Sequence, residues 1–141
     1  MSYSAISINP NLYFFASSKI DTQSTGVSSS TFTTFSNSPS LSVACTSTGT
    51  YKVYCNAQME SDSSTGSFIT IVGTSGSPTL LYESWGELEA VGSSGHATCF
   101  VQSVFTLTSG NTYVFNVQGK TASGTIYFGN KNTYMFAEKC G

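Results

Sequence analysis

One phrase occurs twice in this chain and limits what it can fold into. Thr48-Gly49-Thr50-Tyr51-Lys52-Val53-Tyr54-Cys55-Asn56-Ala57-Gln58 returns as Ser109-Gly110-Asn111-Thr112-Tyr113-Val114-Phe115-Asn116-Val117-Gln118. In each copy an apolar run enters a glycine-containing turn, and a second run opens on Thr-Tyr and alternates toward Gln. Period-two alternation sends successive side chains to opposite faces of a strand, and it gives a helix no continuous apolar stripe. The phrase therefore predicts a strand–turn–strand unit that the chain uses twice.

The same alternation, in β-branched and aromatic residues broken by Gly, Ser, Thr and Asn, continues along the chain and argues for an all-β fold. Strands are expected at Leu12–Ala16, Thr31–Phe35, Leu41–Cys45, Thr50–Met59, Phe68–Gly73, Thr79–Trp85, Ala97–Leu107, Thr112–Gln118, Thr125–Phe128 and Thr133–Lys139. A β-sandwich of two antiparallel sheets built from two Greek keys, a jelly roll, carries this kind of internal echo. Only Trp85–Val91, with its three glutamates nearby, suggests a helical turn. Residues 17–30 are so rich in Ser, Thr and Gly that they read as a flexible loop. The expected division is an extended N-terminal arm with its loop over residues 1–40 and a jelly-roll domain over 41–141.

At 141 residues the chain is long enough to bury a core without disulfides. Only 9% of it is charged, against about 25% in an average globular protein. Hydroxyls, not charges, meet the water, and 13% aromatic residues rule out a disordered composition. A formal charge of −2 with five Lys and Arg gives no footprint for nucleic acid or an anionic membrane, so neither partner is expected. The first ten residues lack the basic start and apolar run of a secretory signal. A surface of this kind without a leader fits a virion protein, made in the host cytoplasm and displayed on the virion surface.

Catalytic chemistry finds little support. His96 is the only histidine and stands in Gly92-Ser93-Ser94-Gly95-His96-Ala97, which reads as a loop without an acid beside it. No Gly-x-Ser-x-Gly elbow occurs. Cys45, Cys55, Cys99 and Cys140 show no C-x-x-C pair, so no metal site is expected. Three disulfide pairings remain open to them, and assembly in a reducing cytosol favours free thiols. The chain is read as a non-enzyme without a cofactor.

Two features remain for function. Tyr82-Glu83-Ser84-Trp85-Gly86-Glu87-Leu88-Glu89 is the one local concentration of chemistry. Its aromatic faces can stack on a sugar and its carboxylates can accept from hydroxyls, which makes Trp85, Tyr82 and Glu87 candidate glycan contacts. The competing expectation is an ordinary strand-to-loop crossing around one buried Trp. The second feature is a surplus of rings. Tyr51, Val53, Cys55 and Ala57 share one face of their strand, and Cys99, Val101, Phe105 and Leu107 one face of theirs, so each strand already has a core face. Tyr54, Phe100 and Val104 are left over on the other.

Gly49-Thr50-Tyr51-Lys52-Val53, Phe68-Ile69-Thr70-Ile71-Val72-Gly73, Phe105–Phe115 and the closing Thr133-Tyr134-Met135-Phe136-Ala137-Glu138-Lys139 together resemble the trimeric jelly-roll family of tumour necrosis factor and the complement globular heads. The flavour is closest to its phage and bacterial members: phage head fibres, decoration and receptor-binding proteins, and exosporium domains. The resemblance covers about Leu41 to Cys140. It implies a homotrimer whose inner sheets, carrying the two leftover faces, pack around a threefold axis. The expected subunit interface is then Tyr54, Phe100 and Val104, with Tyr13, Phe14 and Phe15 of the arm covering them or reaching a neighbouring copy. The expected role is a structural virion protein, capsid decoration or head fibre of a phage, with a capsid or other virion protein as partner. The alternative is a receptor-binding or lectin-like adhesin that recognises a cell-surface glycan.

Overall fold

The computed structural model describes residues 26–36, 40–62, 65–89, 95–128 and 133–141, and the backbone of 14–16; residues 95, 96 and 128 are described as backbone only. Eleven strands follow in chain order: β1 (Phe14–Ala16), β2 (Thr33–Thr34), β3 (Ser40–Ala44), β4 (Gly49–Ser61), β5 (Ser67–Ser75), β6 (Thr79–Glu83), β7 (Gly86–Leu88), β8 (Gly95–Leu107), β9 (Thr112–Thr121), β10 (Ile126–Phe128) and β11 (Tyr134–Lys139). A six-stranded sheet runs β1-β11-β4-β8-β6, with β10 also paired to β4; a five-stranded sheet runs β2-β9-β5-β7, with β3 also paired to β9. All pairings are antiparallel. From β3 to β10 each strand lies in the sheet opposite its predecessor, the winding of a jelly-roll sandwich.

The two copies of the repeated phrase are β4 and β9, one in each sheet. Their buried tyrosines do the same job. The Tyr51 hydroxyl donates to the Ser47 carbonyl at 2.6 Å, and the Tyr113 hydroxyl accepts from the Thr108 N–H at 2.9 Å. Each first ring of the strand thus holds down the turn that precedes it. The two glycines differ in purpose. Gly110 sits at φ +88° in its turn, where an L side chain is strained, whereas a Cβ on Gly49 would run into the Gly141 carbonyl oxygen.

Alternation sets the core. Tyr51, Val53, Cys55, Ala57 and Met59 of β4 point inward, as do Cys99, Val101, Phe105 and Leu107 of β8 and Tyr113, Phe115 and Val117 of β9. Phe105 and Phe115 meet across the two sheets at a centroid separation of 4.8 Å. Full burial of such a side chain contributes about 1.5–3 kcal/mol, and this layer joins the sheets. Val27 and Phe35 belong to the same core, with Val27 bridged to Ile126 in both directions. The core therefore reaches upstream of residue 41, and the expected flexible stretch is anchored by residue 27.

Three local expectations are corrected. Gly86–Leu88 is a strand, not a helical turn, because Gly86 and Leu88 bury against Ile69 and Ser67 of β5. His96 stands on β8 opposite Glu60, not in a loop. Trp85 is not buried. Ser84 exchanges hydrogen bonds with Gln102, its hydroxyl donating to the carbonyl at 2.6 Å and accepting from the N–H at 2.9 Å, and this stitch ends β6 and turns the next residue outward. All four cysteines are free thiols, three of them buried.

Candidate subunit interface

The outer face of the six-stranded sheet is built by register. β4 and β8 pair along their whole lengths, from Gly49 opposite Leu107 to Ser61 opposite Gly95, and β11 lies against the other side of β4. Directly opposed residues share a face, so three rows run across the sheet: Glu138, Lys52, Val104 and Tyr82; Phe136, Tyr54 and Gln102; Tyr134, Asn56 and Phe100. Tyr54 stacks on Phe136 at 4.7 Å and meets Phe100 at 5.6 Å, and Phe136 stacks in turn on Tyr134 at 6.1 Å. The result is a continuous aromatic band across three strands.

The band is tied by one strong bond. The Tyr54 hydroxyl donates to Glu138 Oε1 at 2.6 Å. Partial burial first, and the Glu138 carboxylate second, push the Tyr54 hydroxyl well above its ordinary range, so it stays a neutral donor. Phe100 is nevertheless 57% exposed, while Tyr54 and Val104 are half-buried by their neighbours. Among the described residues six large apolar side chains are exposed: Leu80, Leu81, Tyr82, Trp85, Phe100 and Tyr134. Five of them lie on β6, β8 and β11, all strands of this one sheet. By register Tyr82, Phe100 and Tyr134 share the outer face with Tyr54 and Val104, whereas Leu80 lies opposite the buried Phe105; isolated exposed apolar side chains are normal, but a contiguous set on one face is the mark of an interaction surface.

The structure brings together Tyr54, Phe100 and Val104, and adds Tyr134, Phe136 and Tyr82. Period two in the closing strand carried that signal, since Tyr134, Phe136 and Glu138 alternate with the buried Met135 and Ala137. The backbone of Phe14 and Phe15 runs as a new edge strand beside β11, opposite Glu138 and Ala137, rather than over the face. Tyr13 lies outside the described residues.

The candidate glycan contacts are divided. Tyr82 sits opposite Val104 on the aromatic sheet, whereas Trp85 packs edge-on against Phe68 of the five-stranded sheet at 6.0 Å, and Glu87 pairs with Phe68. Glu83 turns aside to accept from the Thr70 hydroxyl at 2.7 Å. Around Trp85 the fold assembles residues that sequence reasoning did not single out: Lys120 and Phe32, with Lys120 opposite Phe68 in the sheet. No group of three or more His, Cys, Asp or Glu able to hold a metal occurs among the described residues.

No family model matches this chain, and no curated protein matches it in sequence. Solved structures do. A chain of the tripod (BppUct-A-L) from the baseplate of bacteriophage Tuc2009 aligns with 98% of this chain and 68% of its own length, at a TM-score of 0.65 and 15% identity. Eiger TNF from S. frugiperda aligns with 91% of this chain and 93% of its own length, at a TM-score of 0.54 and 13% identity. The fold is a tumour necrosis factor-like jelly roll. At such identities the likeness speaks for the fold, which is the one the resemblance implied.

Proposed function

We propose that this chain is a non-enzymatic structural protein on the outside of a phage particle, a capsid decoration or head-fibre knob, and that it works as a homotrimer. One observation carries the trimer: Tyr54, Phe100, Tyr134 and Phe136 form a continuous aromatic band on the outer face of one sheet, and Phe100, Tyr134 and the neighbouring Tyr82 on that face are exposed. The occupant of that face is two further copies of the same chain, as the family resemblance implies. The likeness to a piece of a phage baseplate tripod supports the particle setting.

The test is light scattering of the purified chain, with Phe100→Asp beside it. The expected result is a trimer for the wild type and a monomer for the variant with unchanged β circular dichroism, because three carboxylates cannot share a desolvated contact without counterions. A monomeric wild type, or a trimer indifferent to Phe100→Asp, overturns the interface. Antibody labelling of particles in the electron microscope tests the location, with head labelling expected and labelling confined to the tail counting against decoration.

A further inference from the structure

We propose that the cluster around Trp85 and Lys120 is a binding site for an anionic saccharide. Lys120 Nζ lies 3.9 Å from the centre of the Trp85 ring, 4.5 Å from that of Phe32 and 5.4 Å from that of Phe68. Phe32 meets Trp85 edge-on at 5.2 Å and Phe68 does so at 6.0 Å. Three rings therefore hold one ammonium in place, and the ammonium has no carboxylate partner among the described residues. Glu87 is separated from Lys120 by Phe68, since it pairs with Phe68 from the opposite side.

This arrangement leaves two complementary surfaces unused. The first is a positive charge whose rotamers the rings have already fixed, so that pairing it with an external carboxylate or phosphate loses little further side-chain entropy. The second is the face of the Trp85 indole that Lys120 does not cap, in a side chain 52% exposed and met edge-on by Phe32 and Phe68, a flat surface for the C–H face of a pyranose. A neutral sugar would leave the ammonium idle, and a bare anion would leave the indole idle. A sugar ring that carries an acid engages both, with Glu87 at the far end of the same row to accept from its hydroxyls. The site lies on the five-stranded sheet, away from the aromatic face of the six-stranded one, so it is independent of the trimer reading.

Trp85 is the only tryptophan in the chain, so its emission reports on this site alone. The probes are trigalacturonate, its methyl ester as an uncharged match, and inorganic phosphate, each titrated into the full-length wild type, Lys120→Gln and Lys120→Arg. Saturable quenching by trigalacturonate is expected, with the ester weaker by about tenfold or more, the worth of one charge-assisted hydrogen bond. Lys120→Gln should abolish that preference while Lys120→Arg keeps most of it, and circular dichroism should show both variants folded. The proposal falls if trigalacturonate gives no saturable change, if the ester binds as tightly, if phosphate binds as tightly as trigalacturonate, or if Lys120→Gln binds as the wild type does.

Discussion

The Tyr54 hydroxyl and the Glu138 carboxylate are joined across β4 and β11 at 2.6 Å, beside the stack that Tyr54 makes with Phe136. Partial burial, then the hydrogen bond and charge of Glu138, raise the Tyr54 hydroxyl from 10.0 to about 12. The folded state thus prefers the neutral phenol, while the unfolded chain releases its proton near the ordinary value. The stabilisation is complete below about pH 10 and is lost as pH rises through about 12. Thermal midpoints measured from pH 9 to 12 should fall more steeply for the wild type than for Tyr54→Phe. Parallel curves would show that the bond is not felt in solution.

The thiols offer a second readout. Burial pushes Cys55 up strongly, with Cys99 beside it adding to the effect, and burial raises Cys99 as well; Cys45 is buried and donates to the Ser47 carbonyl. Cys140 alone is exposed. The thiolate is the reactive form, so one of the four cysteines should react rapidly with a disulfide reagent in the folded protein and all four in denaturant. Cys140→Ser should abolish the fast phase. Two or more fast thiols in the native protein would contradict the packing described for Cys55 and Cys99.

Much of this could be read from the chain, and for a definable reason. In β4 and β8 inward and outward positions alternate without a slip over a long stretch, so parity alone separates Tyr51 and Val101, which are inside, from Tyr54 and Phe100, which are outside. Gly86–Leu88 is too short for parity to declare itself, and it is a strand only because β5 offers it partners. Trp85 is apolar enough to suggest burial, but two hydrogen bonds of Ser84 decide where it goes. The Lys120 cluster could not be read at all, because it depends on the β5–β9 register that sets Phe68 opposite Lys120. Local pattern fixes faces, whereas tertiary register fixes which faces meet.

The repeated tyrosines should prove structural. Tyr51 is fully buried, and its hydroxyl donates to the Ser47 carbonyl at 2.6 Å. Tyr51→Phe keeps the ring and removes the bond, at a cost of about 1–2 kcal/mol for the polar groups left behind. Urea unfolding should show a lower midpoint with an unchanged slope. Tyr113→Phe should behave alike, since it strands the Thr108 N–H. A loss below a few tenths of a kcal/mol in both would mean that the turns hold without these clamps.

The two glycines of the repeat should respond to the same substitutions in opposite order. Gly110 needs its backbone conformation, φ +88°, and has open space around it, with nothing within 4 Å of an added Cβ. Alanine there is strained by roughly 1 kcal/mol or more, and asparagine by less, because its short polar side chain tolerates positive φ. Gly49 needs space, not conformation. A Cβ there meets the carbonyl of Gly141 and the Lys139 side chain, in a segment whose backbone is bonded to Thr50 in both directions at 2.8 and 2.9 Å. The larger side chain must displace more of that segment, so asparagine should be worse than alanine at Gly49 and better than alanine at Gly110. Chemical unfolding of the four variants reads out this crossing of rank order. If alanine is the milder change at both positions, the turn at Gly110 does not hold the left-handed conformation in solution, and the likeness between the two copies extends to their glycines after all.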